Sequence, residues 1–222
     1  MPAPVEVVNK ALSLISARAD VQSFEEVSPQ AKAAALWFDD VRDQVLAAAH
    51  WGFSRRQVNL ALRTEAPQRP WAYEYSLPED CILVRYLGDG SRLVPFGLGG
   101  SAEGPTLLSD EPAAFATYTR REDNLGFWNQ PALEALKFAL AGTLAPALTG
   151  DMQKYRIFLQ QANAVLLDAR TREANQEPMV IGDWTPDWLA VRGVESGGSI
   201  TNMAPVTYGP LFAISAHAYV SN

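Results

Sequence analysis

The sequence predicts a mainly α fold: a four-helix core with a small antiparallel β insertion, followed by an extended C-terminal arm. Three observations predict it. Apolar residues recur at helical steps over 4–17, 28–51, 130–149 and 152–174. Between about 57 and 127 the period shortens toward two, as half-buried strands require. Beyond 175 neither period holds, and glycine and proline recur. The expected division is a body at 1–175 and an arm at 176–222.

The first helix is read from Val5, Val8, Leu12 and Ile15, which share one face. The second opens at Ser28 as N-cap, with Pro29 at the first helical position. Its stripe runs Ala34, Phe38, Val41, Val45 and Ala49, and Asp39 meets Arg42 three residues on. Trp51 and Phe53, split by Gly52, end it and cap the core beneath. In the insertion, Trp71, Tyr73, Tyr75 and Leu77 alternate with smaller or polar residues. The turn 77–80 leads into a strand over 81–87, 97–104 reads as a glycine-rich loop, and short strands are expected near 105–109 and 113–120. Helix three follows the N-cap Asn129, with Leu133, Leu136, Leu140 and Leu144 in register; Gly142 and Pro146 weaken its last turns. Asp151 caps helix four, whose inward face is read as Tyr155, Phe158, Leu159, Ala162, Val165, Leu166 and Ala169. The short connection makes these two helices an antiparallel hairpin. The predicted core is Val8, Leu12, Phe38, Val41, Val45, Leu136, Leu140, Phe158 and Leu166.

The arm holds few charges but carries Trp184, Trp188, Tyr208, Phe212 and Tyr219. These aromatics need burial, either on their own domain or on another chain.

Composition narrows the function. Of 222 residues, 48% are hydrophobic and 19% charged, which suits a globular chain. No uninterrupted apolar run reaches the ~18–20 residues of a membrane span, and MPAPVEVVNK lacks the basic and apolar regions of a secretion signal. Cys81 stands alone, so no internal disulfide forms, as suits a reducing cytoplasm. A net charge of −7 argues against gripping nucleic acid, although an acidic surface suits a channel through which DNA slides.

Catalytic material is sparse, and no catalytic residue, metal site or cofactor site is assigned. Gly97-Leu98-Gly99-Gly100-Ser101-Ala102 formally satisfies a dinucleotide fingerprint, but Glu103-Gly104-Pro105 cannot open the helix that the fingerprint needs. Cys81 lies in an apolar strand pattern, and His50 and His217 stand far apart in sequence. The carboxylate pairs Glu25-Glu26, Asp39-Asp40, Glu79-Asp80 and Asp110-Glu111 fall in turns or on solvated helix faces. The basic pairs Arg55-Arg56 and Arg120-Arg121 read as isolated surface or inter-subunit charges.

Several segments together resemble the head-to-tail adaptors of short-tailed phages, the tail tubular protein A type. Val8-Asn9, Leu12 and Ile15, then Val21 and Ser23-Phe24, then Trp51-Gly52-Phe53, follow the family's order of helix, extended step and long helix with an aromatic end. Ser16 departs from the glycine common there. The segment Trp71 to Cys81 and helix three, Leu136 through Leu148, extend the likeness over about 5–172. The resemblance implies a virion structural protein of the tail or neck, made in the host cytoplasm and without catalysis. It would form a homo-oligomeric ring, a dodecamer in the family, beneath the portal protein. The ring would join portal to tail nozzle, with DNA only as passing cargo. The arm, through Trp184, Trp188, Tyr208, Phe212 and Tyr219, would dock on the portal. The alternative is a small phage cell-wall hydrolase using a carboxylate pair; a host regulator or binding module is a weaker third reading.

Overall fold

A computed structural model describes residues 3–65, 67, 69–88 and 93–176. The arm, with all five of its candidate docking aromatics, lies outside the described residues. The chain divides into a helical unit (up to Phe53, then from Glu122) and a β unit (Ser54–Arg121).

The mainly α expectation is overturned. Among the described residues the structure is 46% helix and 23% strand, with two four-stranded antiparallel sheets, a mixed α/β fold. What reads as a small insertion is a domain-sized β unit with its own apolar core.

In the helical unit, α1 (Pro4–Leu14) buries Val7, Val8, Ala11 and Leu12. It stops three residues short of the predicted end, because the chain turns left-handed at Ser16, φ 61°. There Ala17 N–H reaches back to the Leu12 carbonyl (3.0 Å) and Ser16 N–H to that of Ser13 (3.2 Å), the paired bonds of a Schellman stop. The second helix, α2 (Pro29–Ala48), starts as the sequence suggests: Ser28 is the N-cap and its side chain accepts from Ala31 N–H. It ends three residues before 51, since Ala49 is already extended. Trp51 therefore stands outside the helix, folding back so that its indole N–H donates to the Val45 carbonyl at 2.8 Å.

After a 3-10 turn at Leu125–Phe127, α3 (Gln130–Thr149) runs unbroken through Gly142 and Pro146 and stops at Gly150, φ 68°. The glycine has a packing reason. A Cβ at Gly142 would stand 3.0 Å from a methyl of Leu159, so its absence lets α4 (Met152–Gln176) come close. Asp151 caps α4 by accepting from Gln153 and Lys154 N–H (2.9 and 3.1 Å).

α3 packs against both α1 and α2. It is long and apolar enough to cross a membrane by length and composition, with a hydropathy of 1.2, yet half of it is buried within the fold, as in a core helix. Of the nine predicted core residues, eight are buried: Val8, Leu12, Phe38, Val41, Val45, Leu136, Leu140 and Leu166. Phe158 is only half-buried, stacking on Phe138 with ring centroids 6.4 Å apart. Of the inward face expected for α4, Leu159, Ala162, Leu166 and Ala169 are buried, while Tyr155, Phe158 and Val165 are half-buried.

The β unit comprises β1 (Arg55–Asn59), β2 (Ala61–Leu62), β3 (Tyr73–Ser76), β4 (Cys81–Gly88), β5 (Leu93–Val94), β6 (Gly97–Ser101), β7 (Gly104–Ser109) and β8 (Phe115–Arg120). One sheet has the order β1-β8-β4-β5 and the other β2-β3-β7-β6. Val84, Leu87, Val94 and Ala116 of the first cluster with Tyr75 and Leu107 of the second. The predicted loop 97–104 is largely strand. β6 pairs with β7, and Gly99 leaves room for Thr106 and Leu108, which a Cβ would meet at 2.9 and 3.2 Å.

Candidate functional site

Three clusters of side chains stand out. The first lies in the helical unit and joins residues far apart in sequence. The Asn9 side chain holds Val21 from both sides: its Nδ2 donates to the Val21 carbonyl at 2.8 Å, and its Oδ1 accepts from Val21 N–H at 3.1 Å. One amide side chain thus acts like a strand partner and fixes the extended step between α1 and α2. Around it Val8, Leu12, Ile15 and Val21 are buried. Phe24 packs on Phe38 at 5.3 Å, and Trp51, Phe53 and Trp128 form a row with centroids 5.9 and 5.4 Å apart. The Trp128 indole N–H donates to the Glu122 carbonyl at 3.1 Å.

The second cluster centres on Arg42, whose side chain is 9% exposed. Its guanidinium contacts Asp39 (2.9 Å), Asp43 (2.9 Å) and Asp123 (2.8 Å). The predicted Asp39–Arg42 pair is therefore one arm of a larger node that ties α2 to the segment entering α3. A buried guanidinium with one partner removed is costly, and three partners make this one tolerable. A shallow groove of about 80 Å³ between α1 and α3, lined by Val7, Lys10, Leu133, Glu134 and Lys137, adds no convergent chemistry.

The third cluster, in the β unit, went unseen in the sequence. Arg55-Arg56 and Arg120-Arg121 are not isolated. β1 pairs antiparallel with β8, with Arg55 opposite Thr119 and Arg56 opposite Tyr118. Arg120 N–H donates to the Ser54 carbonyl at 2.7 Å. From β4, Arg85 donates to Thr119 Oγ1 at 2.7 Å. Five arginines thus gather at one end of the first sheet. Only the strand register reveals this, and register is not written in local sequence.

The carboxylate pairs take ordinary places. Glu26 accepts from Gln22 N–H (3.1 Å), Asp39 serves Arg42, Asp80 accepts from the Tyr118 hydroxyl (3.1 Å) and Asp110 accepts from Ala72 N–H (3.0 Å). Among the described residues no three His, Cys, Asp or Glu side chains converge to hold a metal. Burial, and then neighbouring Asp80, pushes the Cys81 thiol up to about 11. A thiol so raised is a poor nucleophile near neutral pH. Burial, with the Asp80 hydrogen bond next, pushes the Tyr118 hydroxyl up to about 12. The fingerprint Gly97–Ala102 sits on β6 and the β6–β7 turn, antiparallel hairpin rather than strand-to-helix, so it builds no phosphate cradle.

No known family matches the chain, and no curated protein matches it.

Proposed function

We propose that this protein is a structural head-to-tail adaptor of a short-tailed phage, working as a homo-oligomeric ring between portal and tail nozzle. One observation carries the reading: two residues that bear the resemblance, one in the first helix and one in the extended step, hold each other directly. Asn9 and Val21 hold each other by two hydrogen bonds, Val8, Leu12 and Ile15 are buried, and Trp51 and Phe53 stack on one another. Ser16 adds support. It occupies the left-handed conformation for which glycine, the common residue of that family at this position, is suited.

On this reading the chain has no catalytic task. The arm docks on the portal through the aromatics Trp184, Trp188, Tyr208, Phe212 and Tyr219. Large aromatics dominate interface energetics. The ring closes by heterologous contacts between copies.

Native mass spectrometry on the purified protein, alone and mixed with the portal protein of the same phage, tests this. A ring-sized complex with portal is expected. Truncation after Ala174 is expected to leave the helical unit folded and to abolish that complex. A full-length protein that never joins portal sinks the adaptor reading. A truncated protein that joins with unchanged affinity sinks only the role of the arm.

A further inference from the structure

We infer that α4 packs its outer face against the outer face of α2 in a neighbouring copy, so that copies of this chain join head to tail. The inference rests on the homo-oligomeric ring proposed above and names the two surfaces that would close it. The solvent side of a helix ordinarily carries charge, as α1 does through its Glu6–Lys10 pair at 2.7 Å. The solvent side of α4 does not. Gln153, Ile157, Gln160, Ala164, Leu167 and Thr171 recur at steps of four and three, and none of them is charged. They lie opposite the buried line of Leu159, Ala162, Leu166 and Ala169. All six are exposed, Ile157 at 49% and Leu167 at 64%. Apolar residues at steps of three and four on an exposed helix suit packing against another helix.

The same helical unit offers a matching face. α2 buries Phe38, Val41 and Val45 and packs on α3, which leaves Leu36, Trp37 and Asp40 exposed. Leu36 is 69% exposed and Trp37 39%, and large aromatics dominate interface energetics. Charge selects this face as the partner of α4. Arg156 flanks the α4 stripe, and Asp40 lies one turn beyond Leu36 and Trp37. Both are exposed, and neither has a charged partner among the described residues. The other acids of the two faces are engaged: Asp39 and Asp43 with Arg42, and Asp168 with Arg172. A second α4 therefore offers Arg156 only an acid that is already paired. An antiparallel crossing that sets Arg156 against Asp40 brings Leu36 opposite Gln160 and Lys32 opposite Ala164, both uncharged. Two different faces of one chain make a heterologous contact, the kind that repeats from copy to copy and closes into a ring.

Thiol cross-linking of the full chain in a Cys81→Ser background, alone and mixed with portal protein, tests the inference. Gln160→Cys and Ala33→Cys keep the apolar side chains of both faces. A short bis-maleimide is expected to join a Gln160→Cys chain to an Ala33→Cys chain, and to link chains carrying both into a ladder of multimers. A Leu62→Cys chain, exposed in the β unit, is the background control. Arg156→Glu and Asp40→Arg are each expected to lower the yield about two- to fivefold, and the two together to recover it by restoring opposite charges. With Cys81 kept, native mass spectrometry reads the same charge variants as a loss and recovery of associated copies, which covers the case in which Cys81→Ser fails to fold. The inference is overturned if Gln160→Cys and Ala33→Cys do not link above the control, or if the charge reversals change nothing. Gln160→Cys linking to its own kind instead overturns it in favour of an α4–α4 contact. Gln160→Cys linking within one chain to Trp184→Cys overturns it in favour of the chain's own C-terminal segment. A chain that cross-links as expected yet never joins portal sinks the adaptor reading and leaves this contact standing. A chain that forms rings on portal without the cross-link does the reverse.

Discussion

The helical unit and the β unit solve the problem of buried polar groups in opposite ways. In the helical unit the buried charged side chain of α2, Arg42, meets three carboxylates. α3 buries alanine, leucine and one glycine, and its Thr143 hydroxyl donates to the Ala139 carbonyl within its own helix at 2.9 Å. In the β unit polar side chains enter the interior in number: Glu74, Thr106, Ser109, Thr117 and Thr119 are all buried. Two of them, Thr106 and Thr117, have hydroxyls with no hydrogen-bond partner. A helix offers a hydroxyl its own carbonyl four residues back, whereas in a ladder the backbone groups are spent on neighbouring strands. The helical unit is therefore expected to respond to changes in volume, and the β unit to changes in polarity.

The largest expected effect lies in the helical unit. Phe38 is 6% exposed and packs on Phe24. Phe38→Ala is expected to destabilise by about 3–5 kcal/mol, through lost burial and the cavity left behind. Urea unfolding followed by helical circular dichroism measures it. A loss under about 1 kcal/mol, the size of a surface substitution, would show that this core is not closely packed and would remove the contrast.

A smaller effect separates two helix ends within the same unit. α1 and α3 stop on a left-handed residue, Ser16 at φ 61° and Gly150 at φ 68°. Glycine enters that region without the clash that a Cβ brings, at some cost in unfolded-state entropy. Ser16→Gly is therefore expected to stabilise by about 0.5–1 kcal/mol, and Gly150→Ala to destabilise by about 1 kcal/mol. Opposite shifts in the urea midpoint are the signature. Equal signs would mean that side-chain contacts, not backbone conformation, decide these ends.

What the sequence made legible follows the range of the interactions. Ser28, Asn129 and Asp151 were readable as caps because an N-cap bonds an amide two or three residues away. Periodicity places eight of the nine core residues in the interior; the miss, Phe158, lies at the edge of an α4 face whose line through Leu159, Ala162, Leu166 and Ala169 is buried as expected. Pairings across long separations were invisible. Nothing near Asn9 names Val21, and nothing near Arg55 names Arg120. The extent of the β unit was underestimated because its strands are short and one, β6, is mostly glycine, which reads locally as a loop. Only pairing with β7 makes it a strand.

The smallest expected effect tests the other half of the comparison. Thr117 sits on the central strand β8, opposite Gln57 on one side and Tyr86 on the other, fully buried with an unpartnered hydroxyl. Valine matches it in shape, keeps the branch at Cβ that strands favour and removes the polar atom. An unsatisfied buried group costs about 1–3 kcal/mol in full. Thr117→Val is therefore expected to stabilise by about 0.5–1 kcal/mol, at or below the low end of that cost because the valine must still fit the same space. Hydrogen exchange of the β8 amides reads this locally, and slower exchange is expected. Thr143→Val in α3 is the matched control. Its hydroxyl already has the Ala139 carbonyl, so the same change there is expected to be neutral or slightly destabilising. If Thr117→Val speeds exchange while Thr143→Val does not, the Thr117 hydroxyl has a partner after all, and buried polarity in the β unit is as well matched as in the helices.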